Sequence, residues 1–127
     1  MGNLISYQKN YNIINFEYIL DNYNFILIST LNSNNQECLI TNTIPHYDEE
    51  NIINNLFKND INKSIIIYGK NSNDILVFDK FNQLKSLGFK NIKIYGGGLF
   101  EWLLLQDIYG SDKFKTTKKE IDILKYK

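Results

Sequence analysis

The residues best placed to do chemistry lie in the polar run Gly69-Lys70-Asn71-Ser72-Asn73-Asp74, which follows the apolar Ile65-Ile66-Ile67-Tyr68. A strand that ends in a short polar loop and opens into a helix gathers main-chain N–H groups, and the helix N-terminus there favours an anion. Lys70 adds a positive charge to that loop, Ser72 a hydroxyl and Asp74 a negative charge. The same residues have a simpler use, because Ser72, Asn73 or Asp74 can cap the helix that follows. All fourteen basic residues are lysine. An oxyanion bound here would therefore be held by N–H groups or lysine, with no bidentate guanidinium available.

Other candidates are sparse. Cys38 is the only cysteine and sits in Cys38-Leu39-Ile40, the setting of a small buried apolar residue. Its neighbour Glu37 would raise a thiol pKa rather than lower it. His46, the only histidine, follows the only proline and has no obvious nucleophile beside it; an exposed loop position is expected. Glu49 and Glu50 suit the first turn of a helix better than acid–base work. One cysteine and one histidine offer no multi-cysteine zinc set, and no metal or cofactor is expected.

The elements that must position the loop alternate short apolar runs with helix-period segments, the pattern of a mainly parallel sheet covered by helices. Ile13, Ile14, Ile19 and Leu20 suggest a first helix ending near Asp21-Asn22. Phe25 to Ile28 reads as a buried strand, and Cys38 to Ile40 as a weaker one. Asp48 can cap a helix through Ile52, Ile53, Leu56 and Phe57. Ile65 to Tyr68 lacks polar alternation, so both its faces are covered and it lies centrally. After the loop, Val77, Phe78, Phe81, Leu84 and Leu87 share one helix face, which Gly88 is placed to end. Ile92 to Tyr95 makes another strand. Three glycines follow it, then an apolar helix from Leu99 to about Ile108 and a polar tail that could dock through Ile121, Ile123 and Leu124.

Two stretches carry a resemblance. Leu84-Lys85-Ser86-Leu87-Gly88-Phe89 closes one helix, and Gly97-Gly98 followed by Trp102 opens the next. With the preceding strand and loop, their order and spacing resemble the rhodanese-like domain family over roughly residues 13–108. The longer string from Gly98 to Gly110 resembles a eukaryotic and giant-virus branch of it. The resemblance implies an α/β three-layer sandwich, with a five-stranded, mainly parallel sheet and helices on both faces.

It also implies where the sequence departs from the family. Active rhodaneses open the loop with a cysteine that becomes a persulfide, and only a thiolate attacks the sulfane donor. That position is Gly69 here. An arginine often found toward the loop's end aligns with Asp74, which reverses the charge facing an incoming thiosulfate. At an effective dielectric of ~20 such a contact costs on the order of 4 kcal/mol before solvent screening. Phosphatases on the same scaffold need the same cysteine and arginine. The expectation is a catalytically inactive domain serving as a protein-binding or regulatory module, with Lys70, Ser72, Gly97 and Gly98 on its binding surface. The rival expectation is a sulfurtransferase that uses Cys38 or a partner's thiol.

Bulk properties bound the rest. The 127 residues suffice for one domain, with residues 1–10 as a leading segment, 11–127 as the domain and 111–127 as its tail. Hydrophobic residues make up 43% and charged residues 22%, with a net charge of zero, so neither a nucleic-acid footprint nor a strongly basic membrane patch is visible in the balance. Heavy use of Asn, Ile and Lys fits AT-rich coding. A lone cysteine fits a reducing, cytoplasmic setting, and a monomer is expected. Met1-Gly2-Asn3-Leu4-Ile5-Ser6 matches the N-myristoylation pattern, with Gly2 as the acceptor. A single chain of that kind gives only weak, reversible membrane association.

Overall fold

The computed structural model describes residues 11–127, so the Gly2 pattern lies outside the described residues. Four parallel strands form one sheet: β1 (Ile13–Ile14), β2 (Ile26–Ser29), β3 (Ile65–Tyr68) and β4 (Ile92–Tyr95), in the order β1-β4-β3-β2. The helices are α1 (Phe16–Asp21), α2 (Glu49–Asn59), α3 (Leu76–Ser86) and α4 (Gly98–Tyr109).

β3 is central, as its unbroken apolar run requires. Strand side chains alternate between faces, so Ile65 and Ile67 enter one core while Ile66 and Tyr68 enter the other. The first core holds Ile53 of α2 and Val77, Phe81 and Leu84 of α3. The second holds Ile19 of α1 and Leu99, Trp102 and Leu103 of α4, together with Phe114 and Tyr126 of the tail. The fold is thus an α/β three-layer sandwich.

Four expectations need correction. The expected first helix is divided: Ile13 and Ile14 pair with Ile94 and Tyr95 of β4, and the helix begins only at Phe16. Asn15 makes the break, its side-chain oxygen accepting from the N–H groups of Glu17 and Tyr18. Two β-branched residues before a strong N-cap favour that division.

Among the described residues the sheet has four strands, not five. Cys38 to Ile40 forms no strand, only an antiparallel bridge from Ile40 to Thr116, and beside β2 the chain makes a single parallel bridge, Leu27 to Thr43. Between these bridges it turns at Asn42, whose φ of 74° is incompatible with extended pairing.

Of the three residues expected to dock the tail, only Ile123 packs against the core. Phe114 and Tyr126 are buried, whereas Ile121 and Leu124 remain 87% and 67% exposed. Both aromatics join the core on the α4 side of the sheet, where the Trp102 ring meets that of Phe114 edge-on at 5.0 Å.

Asp48 precedes α2 but makes no side-chain capping bond, because a 3₁₀ turn at His46–Asp48 leads into the helix with Asp48 already in helical geometry. Gly88, at φ 110°, ends α3 as expected.

Candidate functional site

The loop 69–74 leaves β3 at the carboxyl end of the sheet and lies against the glycine turn after β4. The amide of Leu99 donates to the carbonyl of Gly69 and that of Phe100 to the carbonyl of Lys70, both at 2.9 Å. The first N–H groups of α4 are thereby used by the loop itself. Gly98 makes the approach possible. A Cβ there would stand 2.8 Å from the Gly69 carbonyl oxygen and 2.9 Å from the Asn71 backbone. Its φ of 70° is also a conformation that glycine adopts without strain. Gly97 faces α4, where a Cβ would overlap the Glu101 carboxylate. Glu101 accepts a 2.7 Å hydrogen bond from the Tyr95 hydroxyl. Burial, then the Glu101 contact, holds that phenol far above its ordinary range.

Asp74 points inward. Its Oδ2 accepts from the Lys70 amide at 2.9 Å and from the Thr30 hydroxyl at 3.1 Å, while Oδ1 accepts from the Leu76 amide at 3.0 Å. It therefore caps the entry to α3 and draws the start of the loop onto the end of β2. A Cβ at buried Gly69 would lie 2.5 Å from Asp74 Oδ2 and 2.8 Å from its Cγ. The carboxylate fills the space that a side chain at position 69 would need. The sequence suggested a charge turned toward an incoming anion; instead, N–H and O–H donors hold it inside the loop. The Lys70 and Leu76 amides and the Thr30 hydroxyl are thereby taken by Asp74 and not free for an external oxyanion.

The other loop residues divide by exposure. Asn71 is fixed at both ends of its side chain, donating to the Tyr126 carbonyl at 2.9 Å and accepting from the Asn73 amide at 2.9 Å. Lys70 is half-buried, and Ser72 and Asn73 are exposed. Directly beyond them Ile75 and Leu76 are 70% and 52% exposed. Leu76 borders a cleft of about 430 Å³ whose floor is Ser29 and Thr30 and whose far wall carries His46 and Glu49. Glu49 pairs with Lys80 at 2.5 Å across that cleft. Sequence reasoning missed Thr30. Its signal was its place just past the apolar run of β2, at the same end of the sheet as the loop.

Cys38 is not part of this assembly. It is buried, with its Sγ 3.2 Å from the Lys118 carbonyl. Burial pushes its pKa above the ordinary thiol value, and the Thr116 hydrogen bond only partly offsets this. We expect it to react with a disulfide reagent such as DTNB at least about tenfold more slowly than a free thiol near neutral pH, and at the free-thiol rate once unfolded. A native rate equal to the denatured one would show that the thiol is accessible. Among the described residues no helix is long and apolar enough to cross a membrane.

A family model, the rhodanese-like domain, matches residues 31–105, more than half of the chain. Among solved structures, the Alr3790 protein from Anabaena sp. is similar at 18% identity over 88% of this chain and 86% of that one, with a TM-score of 0.57. The rhodanese-like domain of the same Anabaena protein is similar at 20% identity over 70% of this chain and 80% of that one, with a TM-score of 0.50. At these identities the likeness is one of fold. No curated protein matches the chain.

Proposed function

Because this chain belongs to the rhodanese-like domain family, we propose that it is a member without sulfur-transfer activity, acting as a protein-binding or regulatory module. One observation carries the reading. The Asp74 carboxylate occupies the side-chain space at position 69 and accepts from the Lys70 and Leu76 amides and the Thr30 hydroxyl. A sulfur carrier at the head of this loop needs a thiolate there, and an empty ring of N–H groups to stabilise it. Here the position has no side chain, and the Lys70 and Leu76 amides already donate to Asp74.

The surface around the loop supports a protein partner better than a small anion. Just past the loop, Ile75 and Leu76 are exposed, and Leu76 lines the cleft together with Thr30, His46, Glu49 and Lys80, so polar and apolar groups lie together there. Such a mixture suits a protein contact. The alternative of sulfur transfer through Cys38 has less support, since that thiol is buried and its pKa is raised.

A thiosulfate:cyanide assay on the purified protein tests the proposal. Turnover is expected at the level of the uncatalysed reaction, and clear turnover that disappears in Cys38→Ala would overturn it. Gly69→Cys alone is expected to remain at background, because the new Cβ meets Asp74. Robust activity in that single variant would show that Asp74 moves aside readily and that the loop retains its chemistry.

A further inference from the structure

A net charge of zero conceals a strong asymmetry along the chain. Residues 111–127 carry six lysines against three carboxylates, and residues 1–110 carry eight against eleven. The tail forms one wall of a groove of about 940 Å³ whose other wall is α4. Lys115, Lys118 and Lys119 line it, beside exposed Ile121 and half-buried Ile123. None of its lining residues belongs to the loop 69–74.

The opposing charges are few. Glu120 lines the same groove but is paired with Lys125 at 2.7 Å, which leaves Asp107 on the α4 wall. The three lysines have no ion-pair partner among the described residues. The groove is therefore basic along the tail wall.

The tail wall is also rigid. Trp102 Nε1 and the Thr41 amide both donate to the Lys115 carbonyl, at 3.1 Å each. Gln106 Nε2 donates to the Phe114 carbonyl at 2.7 Å, and the Thr117 amide to the Leu39 carbonyl at 2.8 Å. Lysines on a backbone fixed in this way lose less freedom on binding than lysines on a free tail.

We propose that this groove receives an acidic peptide segment of a partner protein, with its carboxylates on Lys115, Lys118 and Lys119 and an apolar side chain against Ile121 and Ile123. The inference goes beyond the loop surface and does not depend on it. A cleft of this volume holds several side chains, and its charge complements carboxylates. A flat bilayer would meet the lysine tips and leave the half-buried Ile123 uncovered. A nucleic-acid strand would bring its phosphates against Asp107 and would have no use for Ile121 and Ile123. Charge sets the approach and the register, and apolar burial adds retention.

The test uses a short fluorescent peptide of alternating glutamate and leucine, with binding to the full chain read by anisotropy. Saturable binding is expected, weakening at least about fivefold as salt rises from about 50 to about 300 mM. The triple variant K115E/K118E/K119E should bind at least about tenfold more weakly, and K58E/K85E/K90E, equal in charge change but elsewhere on the surface, less than about twofold. Ile121→Ser, at a side chain 87% exposed and so harmless to the fold, should weaken the leucine-containing peptide and leave a glutamate–serine peptide unchanged. Equal losses in the two triple variants, no saturable binding, or equal affinity for the two peptides would each overturn the proposal. Phosphatidylserine vesicles captured through the same three lysines, with no peptide bound, would replace it with a membrane surface.

Discussion

Gly98→Ala is expected to destabilise the fold by about 2–5 kcal/mol, combining a left-handed backbone penalty of roughly 1–2 kcal/mol with overpacking of roughly 1–3 kcal/mol. The added methyl would be pressed against the Gly69 carbonyl and the Asn71 backbone, and neither can swing aside as a side-chain tip would. Relief would require the loop and the start of α4 to part, stretching the Leu99 and Phe100 hydrogen bonds to Gly69 and Lys70. A loss of that size is a large share of what a domain this size has to spare. Gly110→Ala is the matched control. Gly110 also has positive φ, 103°, but has nothing within 4 Å of its added Cβ, so only the backbone penalty of roughly 1–3 kcal/mol applies. Urea titration of both variants measures the difference. Equal losses would mean that the loop yields to the methyl and that contact between loop and turn is looser than its geometry implies.

Asp74→Ala is expected to cost about 2–4 kcal/mol, a drop of roughly 10 °C in Tm. One part is the lost cap on α3, roughly 0.5–2 kcal/mol. The other comes from the Lys70 amide and the Thr30 hydroxyl, which lose their acceptor in a partly buried setting. Asp74→Asn keeps an acceptor in place and should lose about 1 kcal/mol. Thermal melts followed by circular dichroism separate the three proteins. An alanine variant melting with the parent would show that water replaces the carboxylate without loss, and the loop would then be open to an external anion.

Much of this fold was legible because its strongest elements are locally consistent. Ile65 to Tyr68 could only be a strand covered on both faces, and the Leu84–Phe89 stretch could only end a helix at Gly88. The meeting of loop and glycine turn was legible too, since two adjacent parallel strands bring their carboxyl ends together. Other features depended on tertiary contacts with no local mark. Ile13 and Ile14 fit a helical period as well as a two-residue strand, and only pairing with β4 decides between them. Phe114 and Tyr126 are single aromatics in a polar tail, with no periodicity to show that they are buried. Asp74 was recognisable as an unusual charge, but its direction was not. That depended on Thr30, forty-four residues earlier, arriving beside it.

The clasp between residues 37–41 and 114–118 also bears on the order of assembly. Its hydrogen bonds join residues about eighty positions apart, and separations of that length are closed late, after local contacts have formed. Phe114 and Tyr126 complete the core around Trp102 and Leu103. During synthesis, the α4 side of the sheet therefore stays open to water and to chaperones until Tyr126 has been added and has left the ribosome.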